Sequence, residues 1–262
     1  MARRITIPVR SFGSEVGTPA IPEVAEWLKG MRGEEADLAT YRLSRSLADQ
    51  ESVAVPAAGG MFYGERLSGA FTGMVDGVLV DEPGIDPSAP AADARYVVAR
   101  RRDAWFALPA PHALGLRDAY IDDEEEFAGV IVAGYARLAR EMRDQGVRGH
   151  VLVADQADEA ELERLAGNRF LFFPRDPGRF DLEVLLEYQD DLILPAGDLD
   201  RAADLMERFR VRKLILLDVG VDDLLAATAL VDPDMLEVGG YCSGEDCPDY
   251  WKTLVDRAFI AR

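Results

Sequence analysis

Short apolar runs alternate with longer amphipathic stretches along most of this chain. The runs are Ile5-Thr6-Ile7, Val53-Ala54-Val55, Val78-Leu79-Val80, Trp105-Phe106-Ala107-Leu108, Val151-Leu152-Val153, Phe170-Leu171-Phe172-Phe173, Leu192-Ile193-Leu194, Leu214-Ile215-Leu216-Leu217 and Met235-Leu236-Glu237-Val238. Runs this short and this apolar predict strands buried on both faces, as in a parallel sheet covered by helices.

Helical periods lie between the runs. Phe127, Val130, Ile131, Tyr135, Leu138 and Met142 recur at spacings of three and four, which marks one face of a helix. Asp122 to Glu126 precede it, and Arg137, Arg140 and Arg143 lie toward its end, matching the helix dipole. Shorter helices are predicted over Glu159 to Leu165, Leu182 to Leu186, Leu199 to Phe209 and Asp222 to Leu230, and another over 91–102. In the C-terminal half, Val151, Leu171, Leu192, Leu214 and Leu236 follow one another by 20, 21, 22 and 22 residues. One strand and one short helix fit each step, so the repeat is architectural.

This alternation predicts a (β/α)8 TIM-barrel-like α/β fold with short βα units in its C-terminal half. A doubly wound parallel sheet is the alternative. No linker interrupts the pattern, so residues 1–262 read as a single domain. Nine runs compete for the eight strand places of a barrel. We place the barrel from Val53 to Val238, with residues 1–50 as an N-terminal strand and helix extension or a first βα unit. A final helix is expected from Pro248 to Ile260, and a loop from Asp81 to Ala92.

Composition narrows the function classes. The 262 residues carry 29 Lys+Arg against 48 Asp+Glu, a formal charge of −19. That argues against nucleic acid and anionic membrane surfaces as partners. No apolar stretch approaches the roughly 20 residues of a membrane span, and Ile5 to Val9 falls short of a signal-peptide core of about 7–15 residues. Two cysteines give no disulfide framework. The expectation is a soluble cytoplasmic protein with reduced thiols, binding a small molecule. A homo-oligomer is compatible with the sequence.

Chemistry in parallel α/β folds collects at the C-terminal ends of the strands. Asp81 and Glu82, Asp155 and Asp218 each follow a predicted strand and are candidate catalytic acids. Together they would suit a divalent metal ion or divided acid and base roles. Separately, each would cap a helix or bond loop amides. His112 follows Leu108-Pro109-Ala110-Pro111 and is a candidate acid/base or ligand. His150 begins its strand and belongs to the opposite face.

Arg175 is the best-placed cation for an anionic substrate. The loop Ala57 to Ser68, with Glu65 and Arg66, reads either as a mobile cover over a ligand or as a packed loop. The segment Gly239 to Cys247 reads as a Gly-rich turn exposing amides to an anion, with Tyr241 as a substrate contact, although Glu245, Asp246 and Asp249 oppose an anion there. Cys242, Cys247 and His112 form a weak zinc candidate. Phosphate-loop, dinucleotide, nucleophile-elbow and metal-hydrolase motifs are absent. Lys213 begins its strand, which disfavours Schiff-base chemistry.

The combined expectation is an enzyme acting on a small anionic or carbonyl metabolite, by acid/base or metal-assisted lyase, isomerase or transferase chemistry. The alternatives are a non-catalytic barrel serving as a binding or assembly subunit and a nucleic-acid-modifying barrel.

Overall fold

The computed structural model describes residues 4–31, 36–167, 169–220, 222–244 and 246–261. Along the first half lie β1 (Arg4–Thr6), β2 (Val9–Ser14), α1 (Ile21–Gly30), α2 (Leu38–Ala48), β3 (Ala57–Gly59), α3 (Gly64–Ser68), β4 (Phe71–Val75), β5 (Val78–Ile85), α4 (Ser88–Arg100), β6 (Trp105–Pro109), β7 (Arg117–Asp118) and α5 (Glu124–Asp144). The second half holds β8 (His150–Ala154), α6 (Glu159–Leu165), β9 (Phe170–Pro174), α7 (Leu182–Tyr188), β10 (Asp191–Pro195), α8 (Leu199–Arg208), β11 (Lys213–Leu217), α9 (Asp223–Ala227), β12 (Leu236–Cys242), α10 (Cys247–Arg257) and β13 (Phe259–Ala261).

Eight of these strands form two parallel four-stranded sheets, ordered β3-β6-β8-β9 and β10-β11-β12-β2. A parallel bridge between Arg10 and Val55 links the sheets. There Ser11 N–H donates to the Val55 carbonyl and Val55 N–H to the Val9 carbonyl, both at 2.9 Å. At the other margin β9 lies against β10 without a ladder among the described residues. The result is a mixed α/β fold with parallel sheets, in which closure of a barrel is not shown.

Alternation along each strand sorts the core. Phe12, Ala57, Ala107, Val151, Val153, Leu171, Phe173, Ile193, Ile215 and Leu217, drawn from both sheets, pack into one cluster. Their neighbours Leu108, Leu152, Phe172, Leu194, Leu216 and Val238 point the other way, into the larger cluster shared with the helices. Two-sided burial explains why β6, β8, β9, β10 and β11 carry no polar residue beyond their first position. No helix among the described residues is long and apolar enough to cross a membrane.

Several sequence expectations are corrected. The parallel system begins at β2. Its Arg10, Ser11 and Ser14 hide it from a search for apolar runs, although Ser11 and Ser14 are buried. Their hydroxyls are satisfied locally: Gly13 N–H donates to Ser11 Oγ at 3.0 Å, and Gln50 Nε2 to Ser14 Oγ at 3.3 Å. Val53 to Val55 precedes its strand, which is β3. Ile5 to Ile7 gives β1, which pairs antiparallel with β13 outside the parallel sheets. Val78 to Val80 belongs to an antiparallel hairpin of β4 and β5, flanked by β7, and the expected loop from Asp81 is largely the rest of β5 and the start of α4. The last helix stops at Arg257.

The glycines thought to form a turn after Val238 lie inside β12. A Cβ on Gly239 would stand 2.4 Å from a Phe12 ring carbon and 2.9 Å from Ile215. His150 and Lys213 begin β8 and β11, as expected, at the end opposite the strand C-termini. His150 is fully buried; burial pushes it down to about 3, Ala139's carbonyl, 3.0 Å from Nε2, opposing this only partly.

Gly239→Ala is therefore expected to destabilise the chain by roughly 1–3 kcal/mol, the usual cost of overpacking. Urea denaturation reads this as a lower midpoint, and adding Phe12→Leu restores part of the loss. A neutral Gly239→Ala contradicts the packing described here.

Candidate functional site

The C-terminal ends of the parallel strands bring together residues far apart in sequence. Glu15 follows β2, Met61 follows β3, Arg175 follows β9, Asp218 follows β11, and Tyr241 sits near the end of β12. Between β9, β11 and β12 lies a pocket of about 290 Å³, lined by Phe173, Arg175, Leu217, Asp218, Gly239, Gly240, Tyr241, Ser243 and Tyr250. Its apolar floor continues into the core: Phe173 stacks on Phe12 at 4.4 Å between ring centroids and lies 5.7 Å from the Tyr241 ring. Arg175 and Asp218 are exposed at the rim. Asp218 adopts a left-handed backbone with φ of 54°, a conformation that Asp tolerates better than most residues.

One hydrogen-bonded group stands out here. The Tyr241 hydroxyl donates to Glu15 Oε1 in a short contact, and Met61 N–H is 3.2 Å from the Tyr241 oxygen and 3.3 Å from Glu15 Oε1. Burial, the Glu15 hydrogen bond and the Glu15 charge together raise Tyr241 far above its ordinary value. Tyr241 therefore stays a neutral phenol. Tyr250 is pushed up to about 12, by burial first and then by the Asp218 charge.

A second cluster lies on the helix side of β6 and β8. His112 sits in a short 3-10 turn after β6. Its Nε2 is 2.7 Å from Asp155 Oδ1, and its Nδ1 is 2.9 Å from Glu161 Oε2. Its backbone N–H donates to Glu161 Oε1 at 2.6 Å. Glu161 is 3% exposed, whereas the Asp155 side chain is 67% exposed. Burial alone would lower His112, but the hydrogen bonds and charges of Glu161 and Asp155 outweigh it and raise the ring above its ordinary value. A neighbouring crevice of about 260 Å³ is walled largely by apolar residues such as Leu116, Phe127 and Ile131.

The other predicted residues disperse. Asp81 and Glu82 lie exposed on β5, outside the parallel sheets, with Asp81 Oδ1 accepting from Glu82 N–H at 2.8 Å. They cannot share a mouth with Asp155 and Asp218, because Val78 to Val80 belongs to the hairpin. Arg66 is engaged by Asp93 at 2.9 Å and by Asp37, so it ties α3 to α4 and to the start of α2. Glu65 is exposed on α3 beside a separate surface cleft. Cys242 and Cys247 are joined in a disulfide, which corrects the expectation of reduced thiols and removes both from any thiolate metal site with His112. Among the described residues, no three His, Cys, Asp or Glu side chains are grouped to hold a metal ion. Glu245 lies outside the described residues.

Sequence reasoning missed Glu15, Glu161 and Tyr250. Glu15 follows the strand that the apolar pattern concealed. Glu161 is three residues beyond Asp158, whose side chain accepts from Glu161 N–H at 3.0 Å. That spacing signals a capping pair, and nothing local shows that the Glu161 carboxylate turns to His112 instead.

No protein-family model matches the sequence, and no curated protein does. Solved structures do resemble it. A B12-independent methionine synthase from Shewanella sp. W3-18-1, in complex with selenomethionine, matches with a TM-score of 0.59 and 13% identity, over 97% of each chain. A putative vitamin-B12 independent methionine synthase from Listeria monocytogenes gives 0.53 and 14%, over 94% of this chain and 93% of its own. What is shared is the fold.

The His112 clamp makes a pH-dependent prediction. A ring raised in the folded state adds stability in full below its unfolded value near 6.5, and that contribution is lost as pH rises through the folded value. Glu161→Gln is expected to lower the His112 titration midpoint read by NMR. The urea stability gap between wild type and variant is expected to be wider at pH 6 than at pH 9. An unmoved midpoint contradicts the clamp.

Proposed function

We propose that the chain is a (β/α)8-barrel enzyme whose mouth pocket takes a small metabolite bearing a carboxylate and an amino group. The strand order β2-β3-β6-β8-β9-β10-β11-β12 supports closure, because each sheet supplies four consecutive members and inward side chains of both meet in one cluster. The observation that carries the ligand reading is the pairing of Arg175 and Asp218 on the rim of one pocket floored by Phe173 and Leu217. Arg175 offers a bidentate partner for a carboxylate, Asp218 a counter-charge for an ammonium, and Phe173 and Leu217 an apolar surface for the side chain. The solved Shewanella structure holds selenomethionine, an amino acid of this description.

Tyr241 is the proton carrier of this reading. A substrate proton passes to the Tyr241 oxygen as the Tyr241 hydroxyl proton passes to the Glu15 carboxylate, its hydrogen-bond partner, so that Glu15 is the base and the phenol stays neutral; the reverse transfer returns the proton. This is acid/base chemistry of the lyase, isomerase or transferase kind. His112 and Asp155 act as a structural clamp here, since both His112 ring nitrogens already face carboxylates. The assembly-subunit alternative rests on a different observation: α1 buries no residue and leaves Ile21 85% exposed.

A thermal-shift series with α-amino acids, 2-oxo acids and dicarboxylates tests the proposal. A ligand at a hundred times its Kd stabilises by about 2.7 kcal/mol, a rise of roughly 5 °C or more for a domain of this size. Arg175→Ala is expected to weaken the binding about tenfold, or about 1.4 kcal/mol. Tyr241→Phe is expected to bind but to turn over about 10²–10⁴-fold more slowly. No shift with any carboxylate, or full affinity in Arg175→Ala, overturns the proposal.

A further inference from the structure

We propose that the arginines gathered where the chain enters β8 and β9, at the end opposite the mouth pocket, form a binding site for a small molecule carrying a phosphate or diphosphate group. The site is separate from the mouth pocket and stands or falls without it.

Three segments bring these arginines together. Arg140 and Arg143 lie in the last turns of α5, Arg148 in the turn into β8, and Arg169 in the turn into β9. His150 and Phe170 are register partners, and His150 N–H donates to the Arg169 carbonyl at 2.8 Å, so the two strand entries lie side by side. Arg169 Nη1 reaches across to donate to the Arg148 carbonyl at 2.9 Å. The Arg143 guanidinium lies 5.0 Å from the centre of the Phe170 ring, next to Arg169 in the chain. Arg143 is held below its ordinary value, by burial first and then by the Arg169 charge; Asp144 opposes this and Arg140 adds to it. Like charges therefore face one another here.

Such a group is anomalous in a chain of formal charge −19. Arg10, Arg66, Arg208 and Arg212 each meet a carboxylate. Arg140, Arg143, Arg148 and Arg169 form no salt bridge among the described residues. Arg143 Nη1 is buried without a hydrogen-bond partner, although a charged donor removed from water is costly unless it is paired. The dipole of α5 accounts for cations in its last turns. It does not account for Arg148 and Arg169, which lie outside the helices and are exposed.

The chemistry of the group selects its ligand. Each guanidinium offers paired N–H donors that match phosphate oxygens, and a phosphate has oxygens enough for several guanidiniums at once. Charges are screened beyond about 8 Å at physiological salt. A compact anion there feels the arginines more than the net charge of the chain. A long polyanion runs past the group and meets the surplus acids.

Calorimetric titration of the whole chain tests the site, in about 0.15 M salt. The probes are inorganic phosphate, pyrophosphate, citrate and a single-stranded oligonucleotide. Pyrophosphate is expected to bind saturably at one site and more tightly than phosphate or citrate. Arg143→Gln and Arg169→Gln are each expected to weaken it by about tenfold or more, the loss of a charge-assisted hydrogen bond. Arg169 is exposed, so its variant decides the matter if Arg143→Gln lowers the urea midpoint. Arg179→Gln, at a 90% exposed side chain beyond the other end of β9, and Arg175→Ala at the mouth are expected to keep full pyrophosphate affinity. No saturable binding of pyrophosphate overturns the proposal, as does an equal loss in Arg179→Gln or a loss confined to Arg175→Ala. Citrate bound as tightly as pyrophosphate overturns the phosphate class. An oligonucleotide bound more tightly than pyrophosphate through the same arginines overturns the small ligand in favour of nucleic acid.

Discussion

Phe12 stands where Gly239 has no side chain, and much of the interior follows from that fit. The space between the two parallel sheets accepts a large ring only where facing strands offer little volume. Gly239, Ala57 and Ala107 provide that, and Ile193 and Ile215 fill the remaining sides of the same cluster. The Phe12 ring then becomes a platform for Phe173, which extends the stack toward Tyr241. The floor of the mouth pocket is the upper surface of this packing. Its shape is set by size complementarity inside the core, and the polar rim is added above it.

The other end of the same strands is organised by charge. Arg10 Nε meets Glu237 Oε2 at 2.6 Å, Lys213 Nζ lies 3.9 Å from Glu237, and Arg212 lies 3.0 Å from Asp191. Glu237 and Asp191 are buried, so each needs a cation to offset the loss of water. Asp93 with Arg66 and Glu161 with His112 repeat the same solution elsewhere. In a chain of formal charge −19, the surplus acids stay at helix starts such as Asp123, Asp158 and Asp181, where their side chains accept from backbone amides. Arginine dominates these pairs because its planar fork keeps its charge when partly buried.

What could be read in advance depended on how local the cause was. The parallel strands from Trp105 onward were legible because burial on both faces leaves a nearly pure apolar run, whereas β7 and β13, outside the parallel sheets, were not. β2 was not, because its polar residues are satisfied by partners such as Gln50, which lies 36 residues beyond Ser14. That one omission moved the start of the parallel system and hid Glu15. Arg175 and Asp218 were legible as strand-end residues and Tyr241 as a contact in an expected turn that proved to be the end of β12, and the structure gathers all three around one pocket. Asp81 and Glu82 failed because an apolar run looks the same in a parallel strand and in a hairpin.

The sequence by itself determined the alternation of short strands and helices, the two faces of the parallel strands and the caps that start the helices. These depend on periodicity and on partners within a few residues. Only the tertiary structure decided which runs share a sheet, that Glu161 turns to His112, that Glu15 meets Tyr241, and that the two cysteines are bonded across the turn into α10. Such pairings depend on distances between segments that the chain brings together after folding. A carboxylate's neighbours in sequence do not say which way it turns.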